Sequence, residues 1–144
     1  MKYEKLSFDD FDQFIELEQQ YKDSIGEQKL TDKQICNLEN AIHEDLIEFF
    51  VAKIQGEIVA ICSISLAFST FSCKSMGIFE DFFIAPEHRK KGIARGLTSY
   101  VFGVLKSRNV SSLWVGCADM DLEMYKSIGF TKPLGNLLTW SADE

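Results

Sequence analysis

Ile84-Ala85-Pro86-Glu87-His88-Arg89-Lys90-Lys91-Gly92-Ile93-Ala94 links an apolar run that ends Phe82-Phe83-Ile84 to a stretch of helical periodicity from Arg95 to Ser107. The run reads as the end of a strand, and Pro86 stops it. Three basic side chains then stand just before a Gly-x-Ala turn at the start of a helix. Unpaired N–H groups and the positive end of a helix dipole make such a turn an anion site. Gly92 and Ala94 keep side-chain bulk away, so backbone can approach a phosphate closely. Taken alone, a basic glycine-containing turn is also what a solvated connection looks like. It is not a Walker loop, because no Gly-Lys-Ser/Thr triplet follows. Nor is it a dinucleotide fingerprint, since one Gly and one Ala stand where three glycines are needed and no βαβ unit opens the chain.

Working outward, Met76 to Ile84 is expected to be the strand that feeds this turn, preceded by a polar loop over Ser69 to Ser75. The helix after the turn carries Ile93, Leu97, Tyr100, Val101, Val104 and Leu105 on a broad apolar face. Leu113 to Val115 is a short buried strand. Asp121 to Ile128 is a short helix ended by Gly129, with Asp121 placed as its N-cap. Toward the N-terminus, Leu46 to Ile54 and Glu57 to Ala67 form a hairpin around Gln55-Gly56. Lys2 to Leu6 is a first strand. Ser7-Phe8-Asp9-Asp10 has capping-box character before a helix with Phe11, Phe14, Ile15 and Tyr21 on one side. Thr31-Asp32-Lys33-Gln34 caps a second helix lined by Ile35, Leu38 and Ile42, with a polar link from Lys22 to Lys29 between the two. A last strand over Leu137 to Trp140 pairs with one starting at Phe130. The strand, helix and strand from Met76 to Val115 imply one parallel pair with a right-handed crossover in a mostly antiparallel sheet.

Composition narrows the classes. The 144 residues, 46% hydrophobic and 26% charged, suit a single domain over 1–144. No run reaches the ~18 apolar residues of a membrane span, and the N-terminus lacks the apolar core of a secretory signal. Cys36, Cys62, Cys73 and Cys117 form no CxxC pair and suggest reduced thiols in a cytoplasm, not a metal site or disulfide frame. A net charge of −7 argues against nucleic acid, which needs a broad basic face. The cluster Arg89-Lys90-Lys91 is local and suits a small anion. His43 and His88 read as surface residues before they read as bases.

Arg89-x-x-Gly92-x-Ala94 after a strand, followed by Tyr125-Lys126-Ser127-Ile128-Gly129-Phe130, resembles the GCN5-related N-acetyltransferase family. Its pyrophosphate loop reads Arg/Gln-x-x-Gly-x-Gly/Ala, and its later helix ends Tyr-x-x-x-Gly-Phe. The match runs from about Glu80 to Phe130, with both motifs in order. The resemblance implies an α/β (α+β) fold: a mixed, mostly antiparallel sheet of about seven strands flanked by about four helices, with one splayed parallel pair. It implies acetyl-CoA as cosubstrate without a metal, and a small-molecule or peptide amine as acceptor. It is compatible with a homodimer. Pyrophosphate would lie on Arg89, Lys90, Lys91, Gly92, Ile93 and Ala94. Pantetheine and the acetyl carbonyl would meet the backbone of Phe82, Phe83 and Ile84 in the gap between the parallel strands. One departure is Ala118, which stands where many relatives carry a CoA-binding Asn seven residues before the tyrosine.

Acyl transfer from a thioester to an amine needs a neutral amine, a polarised carbonyl, a proton for the leaving thiolate and alignment of both substrates. Tyr125 matches the family tyrosine that protonates the thiolate, and a phenol is neutral at pH 7. It could equally be a core aromatic beside Met124 and Ile128. Glu80-Asp81 is a carboxylate pair inside Gly77-Ile78-Phe79-Glu80-Asp81-Phe82-Phe83-Ile84, where carboxylates are unfavourable without a reason. The two should point to opposite faces unless a bulge intervenes. One can simply be solvated while the other pairs with a lysine. Alternatively Glu80 takes the proton of an ammonium, directly or through water, and both residues bind a cationic acceptor. Glu-Asp-Phe-Phe-Ile also resembles the corresponding strand of the diamine (spermidine/spermine) acetyltransferases. A protein N-terminal or aminoglycoside acetyltransferase, or a silent CoA-binding regulatory module, are the other readings.

Overall fold

The computed structural model describes residues 1–142. Local signals account for most element boundaries. β1 (Lys2–Lys5) leads to Ser7, whose hydroxyl accepts the Asp9 N–H at 3.4 Å and opens a 3-10 turn, Phe8–Asp10, ahead of α1 (Phe11–Ser24). At α2 (Asp32–His43) the capping box is complete. Thr31 Oγ1 accepts the Gln34 N–H at 3.2 Å, and Gln34 Oε1 accepts the Thr31 N–H at 2.9 Å. β2 (Glu48–Ile54) and β3 (Glu57–Ser69) turn at Gln55-Gly56, where both residues hold positive φ (50° and 83°) as a tight hairpin requires. β4 (Lys74–Ile84), a 3-10 turn at Pro86–His88, α3 (Ile93–Ser107), β5 (Leu113–Val115) and α4 (Leu122–Ser127) complete the order.

The sheet runs β1-β2-β3-β4-β5, antiparallel except for the β4–β5 pair. Helices cover both faces. Phe14, Leu17, Phe49, Val51, Ile61 and Phe83 form the core beneath α1 and α2. Phe50, Cys62, Ile64, Phe79, Leu97 and Val101 form the core beneath α3. Gly77 admits β5 at this junction, because a Cβ there would lie 2.8 Å from Leu113 Cδ1.

Two features of β4 shape the cleft. Pairing with β5 stops at Phe79–Val115, whereas pairing with β3 continues to Ile84. Among the described residues, the β5-facing edge of β4 therefore has no strand beside it from Glu80 onward. A bulge also interrupts the β3 ladder: Glu80 faces Ser63 and Phe83 faces Ile61, so Asp81 and Phe82 together face Cys62. Asp81 takes φ +51° to allow this. The bulge resolves the alternation question, since Glu80, Asp81 and Phe83 lie toward α1 while Phe79 and Phe82 pack on the α3 side.

Among the described residues the sheet has five strands, not about seven. The strand expected over Leu137–Trp140 and its partner from Phe130 do not form. Phe130 is held in the core against Phe79, Phe102 and Tyr125. Pro133 then lacks an N–H, and Gly135 at φ +94° turns the chain, which leaves too little uninterrupted backbone for a ladder.

Candidate active site

The Gly92 turn has the form an anion site needs. Gly92 is the N-cap of α3 at φ +79°, and Lys90 is also left-handed at +60°. A Cβ on Gly92 would touch nothing within 4 Å, so glycine is required there for its backbone conformation and not for room. The first turn of α3 holds no acidic residue that would oppose an anion. Arg89 Nε donates to the Ile84 carbonyl at 2.9 Å, and its guanidinium lies 5.3 Å from the Phe83 ring centre. Lys91 Nζ donates to the Glu87 carbonyl at 2.9 Å. These bonds hold the basic side chains at the end of β4, and Arg89, Lys90 and Lys91 all remain exposed. Such a set suits a small anion such as a diphosphate: the free amides of a helix start lie next in sequence to three exposed cations.

Tyr125 is placed by the end of its own helix. Phe130 N–H donates to the Tyr125 carbonyl at 3.1 Å, and Gly129 N–H donates to the Lys126 carbonyl at 3.2 Å, with Gly129 at φ +122°. This is a Schellman motif, and the Tyr125 and Phe130 rings supply its apolar contact at 5.9 Å. The spacing Tyr-x-x-x-Gly-Phe thus has a local cause. α3 receives the same helix end: the buried Thr98 hydroxyl lies 3.3 Å from the Ile128 carbonyl, and Arg95 Nη2 donates to the Ser127 carbonyl at 3.4 Å. The Tyr125 ring then packs 6.1 Å from Phe82, beside the open part of β4. Burial pushes the Tyr125 phenol up to about 12, with Tyr21, Asp121 and Cys117 adding to the rise. It stays neutral throughout the physiological range. Asp121 occupies the N-cap position of α4, although its side chain makes no capping hydrogen bond.

The carboxylates divide unevenly. Glu80 is exposed, while Asp81 is half-buried. Asp81 Oδ2 accepts the Ser63 hydroxyl at 2.8 Å, and Oδ1 lies 3.5 Å from Lys22 Nζ. Lys22 sits in the last turn of α1, not in a connecting link, and its ammonium also lies 3.4 Å from Glu18 Oε1. Glu18 is only 2% exposed, and its Oε2 is buried without a hydrogen-bond partner. Burial, reinforced by Asp81, pushes the Glu18 carboxyl up to about 7 against the pull of Lys22. Tyr21, raised by burial and then by Asp81, joins this group, and its ring meets Phe83 at 5.9 Å.

Sequence pattern alone does not mark Glu18, Lys22, Tyr21 or Thr98 as site residues. The signal for Glu18 was available: it lies four residues after Phe14 and three before Tyr21, on the apolar side of α1. The histidines take no part in this cluster. His43 stacks on Phe8 with ring centroids 3.6 Å apart, a packing role.

The acetyltransferase (GNAT) family model matches residues 11–130. No curated protein shows a significant sequence match. Among solved structures, a probable acetyltransferase superposes with a TM-score of 0.90 at 19% identity over 100% of both chains. A predicted acetyltransferase from Clostridium acetobutylicum, solved with acetyl-CoA, gives 0.77 at 19% identity over 96% of this chain and 94% of its own. An aminoglycoside acetyltransferase from an uncultured soil metagenomic sample, solved with sisomicin, gives 0.84 at 17% identity over 97% and 94%. With strand, phosphate-type turn and capped tyrosine all inside the matched span, the chain belongs to the acetyltransferase (GNAT) family.

Proposed function

We propose that this acetyltransferase moves the acetyl group of acetyl-CoA to the primary amine of a small cationic acceptor, with Tyr125 as the acid. The observation that carries the reading is the convergence of Tyr125 on Phe82, at the stretch of β4 that β5 leaves unpaired. In this reading acetyl-CoA supplies an activated thioester. Its pyrophosphate rests on Arg89, Lys90, Lys91, Gly92, Ile93 and Ala94, which hold it through backbone amides and positive charge. Phe82, Phe83 and Ile84 act through backbone groups of the open edge, aligning the acetyl carbonyl and the pantetheine arm. The Phe83 side chain meanwhile serves the core. Tyr125 donates its hydroxyl proton to the departing sulfur, and its elevated pKa keeps that proton in place until it is needed.

Glu80 and Asp81 lie on the same face of β4, toward α1, and present two carboxylates to an incoming ammonium. That supports a cationic amine, of which a polyamine is one example and an aminoglycoside another. The exposure of Glu80 favours a binding role for it ahead of a proton-accepting one.

The test is thiol release from acetyl-CoA across diamines, spermidine, aminoglycosides, amino acids and N-terminal peptides, with Tyr125→Phe as control. Turnover confined to cationic amines, and a kcat lowered ~10²–10⁴-fold in the variant with acetyl-CoA affinity kept, is the expected result. Coenzyme A binding without turnover of any amine would instead leave a binding module. A normal kcat in Tyr125→Phe, measured where chemistry is rate-limiting, would make the tyrosine structural.

A further inference from the structure

The group formed by Glu18, Lys22 and Asp81 has an arrangement that packing alone does not explain. Two carboxyls share one ammonium: Lys22 Nζ stands 3.4 Å from Glu18 Oε1 and 3.5 Å from Asp81 Oδ1. Asp81 has a second partner in Ser63. Glu18 Oε2 has none and is buried. With both carboxyls ionised the group carries one uncompensated negative charge beneath α1, which is costly in a desolvated site. That cost is relieved by holding a proton or by accepting a second cation. The group is also continuous with the cleft. Asp81 belongs to the β4 bulge next to Phe82, and Tyr21, on the same turn of α1 as Lys22, is an electrostatic neighbour of both Asp81 and Tyr125.

We propose that Glu18 is a positioning residue for acetyl transfer, holding jointly with Asp81 the proton that the acceptor ammonium gives up before attack. This rests on the functional reading above. Asp81 faces the amine, and Glu18 acts through it from behind. The ammonium R–NH3⁺ passes one proton to the carboxylate pair and becomes R–NH2. The nitrogen–carbon bond forms as the carbon–sulfur bond breaks. Tyr125 gives its proton to sulfur and regains one from the nitrogen, leaving the amide. The carboxyl pair then returns its proton to solvent past Lys22, whose side chain is 25% exposed. One ammonium and one thioester yield one amide, one thiol and one proton, which balances.

The groups facing Glu18 support this direction. On its own helix these are Lys22 and Tyr21. From β4 come Asp81 and the exposed Glu80, which acts on the same group through Tyr21. β3 contributes the Ser63 hydroxyl, which donates to Asp81; the neighbouring Cys62 thiol points to the α3 face of the sheet, where burial, with Asp81 adding, pushes it up so that it stays neutral. The Glu18 carboxyl is raised to about 7, where it can exchange a proton at working pH.

Two measurements on the full chain decide the matter. In the first, side-chain carboxyl ¹³C shifts are followed from pH 4 to 9, with and without n-butylammonium chloride as a generic primary ammonium. Glu18 should titrate near neutrality, and its midpoint should fall when butylammonium is added. Asp81→Asn should abolish that response. A Glu18 midpoint below pH 5.5, or one indifferent to butylammonium while Asp81 responds, overturns the proposal. In the second, kcat/KM against pH is measured with the amine that the wild type acetylates fastest. Glu18→Gln, checked for folding by near-UV circular dichroism, should lose about 10-fold at pH 7.5 and lose the acidic limb near neutrality. Glu80→Gln should keep that limb. A Glu18→Gln enzyme with an altered melting temperature but an unmoved acidic limb assigns Glu18 a structural role and overturns the proposal. Absence of turnover with every amine refutes the acetyl-transfer reading and, with it, the role assigned to Glu18. The carboxyl titration would still show separately whether the two groups share a proton.

Discussion

Glu18 and Tyr125 each belong to a packing surface as well as to the chemistry proposed above, and the two contributions can be measured apart. Folding carries the Glu18 carboxyl from its ordinary value of 4.5 to about 7 because burial disfavours the anion. The folded protein therefore holds this proton over a pH range in which the unfolded chain has lost it. The stability linked to it is fully present below pH 4.5 and is lost as pH rises through about 7. Wild type should fall behind Glu18→Gln by up to ~3 kcal/mol across that window, with no further change above it. Urea melts of both proteins at pH 4.5, 6 and 8 read the difference directly. A gap that is constant with pH would show that Glu18 titrates normally. Tyr125 was legible in the sequence because its motif is local, each member within five residues of the others. Glu18 was less so, because a single carboxylate on a helix reads as solvated until the sheet beneath it is in place.

The elements end in one repeated way. α1, α2, α3 and α4 all close with the paired bonds of a Schellman motif, at Gly26, Asp45, Asn109 and Gly129, each with positive φ. At α4 the cap also sets the orientation of the tyrosine. A Cβ on Gly129 would lie 2.6 Å from Phe102 Cε2, at a φ that disfavours side chains. Gly129→Ala should cost about 2 kcal/mol and lower kcat more than it raises KM for acetyl-CoA, because the Tyr125 hydroxyl is displaced while the turn at Gly92 is untouched. Thermal melts with steady-state kinetics check this, and an unchanged kcat would separate the cap from catalysis. At α3 the corresponding control is Gly92→Glu. It forces a side chain into φ +79° and adds negative charge at the helix start, so coenzyme A affinity measured by calorimetry should fall at least ~10-fold. Unchanged affinity in a folded Gly92→Glu protein would place the pyrophosphate elsewhere.

Across the whole molecule, the two helical layers clamp a sheet whose β4–β5 parallel pair, the one such pair among the described residues, stops at Phe79 and Val115. Leu137, Leu138 and Trp140 remain 84–90% exposed beyond it. Since they bury so little, a chain ending at Pro133 should melt within about 3 °C of the full chain. A much larger drop in differential scanning calorimetry would mean that the tail contributes a folded element. The Thr31 capping box, the hairpin at Gln55-Gly56, the strand–turn–helix around Gly92 and the Tyr125 motif are legible in the sequence alone. Each depends on backbone conformation and hydrogen bonds among residues close in the chain. It takes the folded chain to show that a bulge turns Glu80 and Asp81 to one face, that Glu18 loses its water, and that residues 131–142 find no ladder. Those outcomes depend on register and burial between segments far apart in sequence, where a shift of one residue reverses which side chains meet.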